Sequence, residues 1–176
     1  MNNMKKKFST FKIGSFISTT IYDDLSLSPN TRKIDKQIGN LISSIIKNKE
    51  FTGKSNESIL LRTPQTNVLL IGLGNKKCIS NDKLRDAAAK ASITAKKLKT
   101  KSFSFNHDVS DMTNDYVEAV VQGSELGLYN FNVYKSNKKD FRPLTMNIII
   151  KNKTKTSLTK SIRNGEIIAD AIMLSR

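Results

Sequence analysis

Asn67-Val68-Leu69-Leu70-Ile71-Gly72-Leu73-Gly74 carries the clearest structural signal in the chain. Val68 to Ile71 is a short, unbroken apolar run, the pattern of a strand covered on both faces, where a strand with one wet side would alternate. Gly72 and Gly74 punctuate it. Asn81 or Asp82 can cap the segment that follows, in which Leu84, Ala88, Ala91, Ala95 and Leu98 recur at steps of four and three, the spacing of a single helix face. A strand feeding a helix is half of a βαβ unit.

A Gly-x-Gly turn between strand and helix can present backbone N–H groups to a phosphate, which makes Gly72 and Gly74 the candidate phosphate-loop residues. The rest of a dinucleotide fingerprint is missing. The third glycine position holds Lys77, and no acidic residue closes a second strand about 20 residues on. A tight turn that lets the helix pack on the sheet is the stronger reading.

The 176 residues fit one domain with a real core, or a domain plus an extension. Cys78 is the lone cysteine, so there is neither a disulfide framework nor a thiolate metal cage, as suits a reducing cytoplasm. The opening Met-Asn-Asn-Met-Lys-Lys-Lys has the charge of a signal n-region, but Phe8 to Tyr22 is broken by Ser, Thr, Lys and Gly. No run elsewhere is long enough to span a bilayer, so no membrane partner is expected. The net charge of +15 attracts phosphate backbones. Its makeup weakens a nucleic-acid reading, because the excess is nearly all Lys, scattered through every segment, with neither Arg forks nor aromatics clustered.

Along the chain, Ile13, Phe16, Ile17 and Ile21 among Ser and Thr predict one or two strands between Phe8 and Tyr22, with Gly14 as a bend or bulge. Asp23 to Asn30 reads as a polar turn closed by Pro29. From about Thr31, Ile34, Ile38, Leu41, Ile42, Ile45 and Ile46 form the stripe of one helix that ends in Asn48 to Gly53. Ser58 to Thr63 reads as a strand stopped by Pro64, and so short a link to the next strand implies an antiparallel pair in a mixed sheet. Lys101 to Phe105 is a further strand. His107 and Asp108 invite a catalytic or metal role, but the chain has no second His and no clustered carboxylates, which favours a loop histidine. Asp111 or Thr113 caps a helix to about Tyr129, whose inward face reads Tyr116, Ala119, Val120, Gly123 and Gly127, small residues for close helix packing. Tyr129 to Ser136 passes into an aromatic-anchored loop, Asn137 to Pro143 is a charged linker, and Leu144 to Lys151 is a buried strand. Ser157 caps a last helix with Leu158, Ile162, Ile168, Ala169, Ile172 and Met173 on its apolar face, and that helix reaches Arg176 with no stop signal, as though cut in mid-helix.

Several strings together resemble one family, the cytosolic leucine aminopeptidases, in their N-terminal domain. They are Phe51-Thr-Gly53-Lys54, Val68 to Gly74 with its helix, Gly123-Ser-Glu-Leu-Gly127-Leu-Tyr129-Asn-Phe131-Asn-Val-Tyr134-Lys135-Ser136, and Ile168-Ala169-Asp-Ala171-Ile-Met-Leu174-Ser-Arg176. Asn56, Asn132 and Ser175 depart from the family's usual glycine, acid and alanine.

With the element order, the resemblance implies an α/β fold: a three-layer α/β/α sandwich similar to macro domains, its mixed sheet flanked by about four helices. It implies a non-catalytic domain over residues 1–155 and, over 156–176, the start of the helix that passes into a C-terminal catalytic domain. In the resembling family that second domain carries two divalent metal ions (Zn or Mn), a catalytic Lys and a bicarbonate-holding Arg, and the whole assembles as a cytoplasmic hexamer. The 15 dispersed acids of this chain suit a scaffold better than a two-metal centre. No catalytic, cofactor-binding or metal-binding residue is therefore expected here, and the chain alone is expected to be inactive. The alternatives are a basic nucleic-acid-binding module, an activity found in some bacterial members of that family, and a macro-like domain binding ADP-ribose or phosphate at Gly72 and Gly74.

Overall fold

The computed structural model describes residues 4–9, 14–107, 113–129, 144–149 and 155–175. Its strands are β1 (Lys5–Ser9), β2 (Phe16–Tyr22), β3 (Ser58–Arg62), β4 (Asn67–Gly74), β5 (Ser102–Asn106) and β6 (Thr145–Ile149). Its helices are α1 (Pro29–Gln37), α2 (Leu41–Lys47), α3 (Asn81–Lys97), α4 (Asn114–Leu128) and α5 (Lys155–Leu174). The described helices thus number five rather than about four. The strands form one mixed sheet in the order β1-β6-β5-β2-β4-β3, in which β3 runs antiparallel to β4 and the other pairings are parallel.

Strand β4 is buried along nearly its whole length, as its unbroken apolar run requires. Leu69, Ile71 and Leu73 join one core and Val68 and Leu70 the other, so the strand's period of two feeds both faces. Its place is next to the edge strand β3, not at the sheet's centre. The centre belongs to β2 and β5, where Phe16 and Phe103 pack with ring centroids 5.9 Å apart.

On one face of the sheet Ile34 of α1, Ile42 and Ile45 of α2, and Ile38 between the two helices pack on Ile17, Ile21, Val68 and Leu70. On the other, Leu84, Ala88, Ala91 and Ala95 of α3 and Val117, Val120 and Val121 of α4 pack on Phe16, Leu69, Phe103, Phe105 and Met146, and Leu158 of α5 joins them. These are the three layers of an α/β/α sandwich. Helix α4 lies between α3 and α5 because small residues let it: a Cβ on Gly123 would meet the Arg85 carbonyl at 2.0 Å, one on Gly127 the Ala89 Cα at 2.8 Å, and one on Gly165 the Val121 side chain at 2.9 Å. Tyr116, expected inward, packs half-buried against this core, and Glu125 is buried as well.

The expected single helix after Thr31 is two helices. The chain breaks at Gly39 and Asn40, whose φ of 74° and 59° are left-handed. Pro29 does not close a turn but opens α1 at its first position, where its missing N–H costs nothing, and Ser28 caps it. Ser80, rather than Asn81 or Asp82, caps α3 by accepting from the Lys83 N–H. Thr113 caps α4 as expected. Helix α5 starts at Lys155, before the expected cap at Ser157. Asp108, Asp111, Asn132, Tyr134 and the Asn137 to Pro143 linker lie outside the described residues.

Candidate functional site

Gly72 and Gly74 stand at the carboxyl end of β4, and both are needed for a close approach of chain to chain. A Cβ on Gly72 would sit 2.1 Å from the Lys54 carbonyl oxygen, and Gly74 has φ +69°. The segment pressed against them is the loop at Gly53 to Glu57, not helix α3. The Gly72 N–H donates to the Glu57 carbonyl and the Gly74 N–H to the Gly53 carbonyl, each at 2.8 Å. Glu57 in turn holds that loop, accepting from the Thr52 N–H and hydroxyl and from the Lys54 N–H. Lysines surround the turn. Lys54, Lys76 and Lys77 are exposed, the Lys83 Nζ lies 3.7 Å from where a Cβ on Gly74 would be, and Lys90 Nζ donates to the Asn56 carbonyl at 2.6 Å.

Between β2 and β5 the chain leaves the sheet toward opposite faces, to α1 after β2 and to α4 after β5. Such a switch point, at the carboxyl ends of parallel strands, is the usual ligand crevice of α/β folds. Here this chain's own side chains occupy it. Asn106 Nδ2 donates to Thr19 Oγ1 at 2.9 Å, Thr19 and Thr31 share a hydroxyl bond at 2.9 Å, and Asn30 donates to Asn106 Oδ1 at 3.3 Å. His107 lies on the opposite face of the sheet, toward α4. It is 3% exposed rather than a solvated loop residue, its Nδ1 bonds the Thr20 hydroxyl at 2.7 Å, and the rings of Tyr22 and Tyr116 meet it edge-on at 6.3 and 6.5 Å. Burial, then the neighbouring Tyr116 and Asp24, raise the Tyr22 hydroxyl from 10.0 to about 12.

An open depression on the α1–α2 side is lined by Leu25, Leu27, Arg32, Asp35, Lys36 and Asn40. Its carboxylate is already engaged, since Asp35 accepts from the Ile42 and Ser43 N–H groups. Among the described residues no group of three or more His, Cys, Asp or Glu is placed to hold a metal ion. No helix of the described residues is long and apolar enough to cross a membrane.

Where β1, α4 and α5 meet, Lys6 Nζ contacts both Glu125 Oε1 and, at 2.8 Å, Glu166 Oε1. Sequence reading missed this junction. Its signal was an acid between two inward glycines, Gly123-Ser-Glu125-Leu-Gly127. Helix α5 turns Ile167, Ile168 and Leu174 outward, 57%, 40% and 80% exposed.

The layered fold is shared with solved structures. It superposes on a mutant of tomato leucine aminopeptidase with a TM-score of 0.83 at 17% identity, covering 99% of this chain and 37% of that one. The bottromycin maturation enzyme BotP, in a structure with Mn, matches with a TM-score of 0.61 at 19% identity over 92% of this chain and 31% of its own.

The family model described as "Cytosol aminopeptidase family, N-terminal domain" matches residues 19–138, and the chain belongs to that family. A probable cytosol aminopeptidase of Alkaliphilus metalliredigens is 28% identical over 171 residues, 89% of this chain and 34% of that protein. Another, from Sulfurihydrogenibium sp., is 28% identical over 183 residues, 100% of this chain and 36% of that protein. The chain thus spans about a third of the length of these relatives.

Proposed function

We propose that this chain is the N-terminal, non-catalytic domain of a cytoplasmic leucyl aminopeptidase, a two-metal exopeptidase that removes N-terminal amino acids, and that the domain serves assembly and regulation. The observation that carries this is the family match over residues 19–138 in a chain that corresponds to 34% of a probable cytosol aminopeptidase. On this reading residues 1–155 are the domain proper, residues 156–176 begin the helix toward the catalytic domain, and the two divalent ions, Zn or Mn, belong to that catalytic domain. The parent assembles as a homo-hexamer. The outward Ile167, Ile168 and Leu174 of α5 are the surface the catalytic domain covers. The purified 176-residue chain, assayed on leucine-p-nitroanilide with added Mn²⁺ or Zn²⁺, should give no turnover. Robust hydrolysis would end the reading.

A second reading rests on the lysines around the Gly74 turn. Lys54, Lys76, Lys77, Lys83 and Lys90 offer point charges without stacking aromatics, which suits the phosphate backbone of a duplex rather than unpaired bases. Gly72 and Gly74 support a small phosphate ligand such as ADP-ribose less well, because both N–H groups already donate to loop carbonyls. Duplex binding measured against salt should show a steep slope if the second reading holds. Absence of binding at low ionic strength removes it, and absence of thermal stabilisation by ADP-ribose removes the small ligand.

A further inference from the structure

Lys6 reaches from the edge strand into a junction of three elements with its side chain 2% exposed. Glu125 of α4 is 6% exposed at its side chain and Glu166 of α5 is 41% exposed. The second Glu125 oxygen, Oε2, is buried with no hydrogen-bond partner among the described residues. Asp170, one turn beyond Glu166 on α5, adds a further negative charge facing Glu125. The other packed elements supply no compensating cation among the described residues. On α3, Arg85 is held by Gln122 and Asp82. On β6 the contact is Met146, whose sulfur accepts from the Ser124 hydroxyl, and on α4 itself Glu118 is bonded by Asn164. One ammonium therefore serves two carboxylates, with the charge of Asp170 added beside them.

A junction that needed adhesion alone would be served as well by packed apolar residues, because a buried ion group roughly breaks even against them. What charge adds is a response to protons. We propose that Lys6, Glu125 and Glu166 form a proton-sensitive latch that sets how firmly α5 is held against α4 and β1, and with it how the apolar residues Ile167, Ile168 and Leu174 are presented. With Glu125 ionised, it competes with Glu166 for Lys6 and repels both acids of α5. When Glu125 takes a proton from solvent, Lys6 is left to Glu166 and the repulsion across α4 and α5 falls. The helix is then held more tightly. Burial, which outweighs the Lys6 contact, raises the Glu125 carboxyl above the ordinary glutamate range, so the change falls on the neutral side of that range. The latch stands on this chain's own residues, whatever the rest of the protein does.

Hydrogen exchange of α5 amides in the 176-residue chain, referred to those of α3 and corrected for intrinsic rates, tests this from about pH 5 to about pH 8. Protection of α5 should fall severalfold as pH rises. Glu125→Gln should hold the high protection at every pH, and Lys6→Met should lower it throughout. A pH-independent ratio in the unaltered chain, or a pH dependence that survives Glu125→Gln, overturns the proposal. Glu125→Gln keeps the side chain's shape, so the comparison with the unaltered chain decides the matter even if Lys6→Met fails to fold.

Discussion

Asp35 caps a helix to which it does not belong. Its Oδ1 accepts from the Ile42 N–H at 2.8 Å, inside the first turn of α2, although Asp35 itself sits in α1. Asn40, the residue in the capping position of α2, makes no side-chain bond there. The carboxylate also takes the Ser43 N–H and hydroxyl, so one buried acid fixes the angle between two helices and seats Ile34, Ile42 and Ile45 on the sheet. Asp35→Ala should destabilise the domain by about 2 kcal/mol or somewhat more, because it leaves orphaned N–H groups at a helix start. Urea unfolding checks this, and a loss no larger than that of an exposed control such as Lys36→Ala would contradict it.

Gly72→Ala should be severe, and Gly14→Ala should not. The added methyl at 72 lands 2.1 Å from the Lys54 carbonyl oxygen, which is backbone and cannot swing away, whereas a Cβ at 14 meets nothing within 4 Å. Overpacking of this kind costs about 1–3 kcal/mol or more. Thermal melts of the two variants side by side give the comparison, and equal melting temperatures would refute the close approach.

Tyr22 should titrate late in alkali. Its hydroxyl is raised from 10.0 to about 12, so between those values the folded chain keeps a proton that the unfolded chain has lost. Stability that Tyr22 contributes is present below its ordinary value and is lost as pH rises toward about 12. Absorbance of tyrosinate near pH 11 should therefore increase on adding denaturant, and Tyr22→Phe should shrink that increase by one residue's worth. An unchanged increment would show that Tyr22 titrates normally.

Thr20→Val keeps the volume of the side chain but removes the hydroxyl that meets His107 Nδ1 at 2.7 Å. With His107 buried between two tyrosine rings, the loss should be about 1–3 kcal/mol, the cost of leaving a buried polar atom without its bond. The double variant Thr20→Val with His107→Phe should recover part of it. A purely additive result would separate the two residues.

Periodicity made most of this fold readable. The buried run of β4, the stripe of α3, the antiparallel β3 and the glycines of α4 each carry a local signal whose physical cause is local. The division between α1 and α2 was also written in the chain, as Gly39-Asn40, but the isoleucines continue across it in helical phase and mask the break. What could not be read was anything set by partners distant in sequence. His107 reads as a loop residue until β2 supplies Thr20, Glu125 has no assigned role until β1 supplies Lys6, and Gly72 reads as a tight turn for packing a helix until the loop at Gly53 lies against it.

Strand β1 pairs with β6 in the register Lys5 to Thr145, so the first strand of the sheet has no neighbour until one of the last is made. During synthesis β2, β4 and β5 can assemble while residues 5–9 wait, and the ribosome must deliver the chain through β6, which ends at Ile149, before that rim closes. A bulky fusion placed ahead of Lys5 would load the latest-closing piece of the architecture, whereas an insertion between β3 and β4 would disturb a pairing complete much earlier.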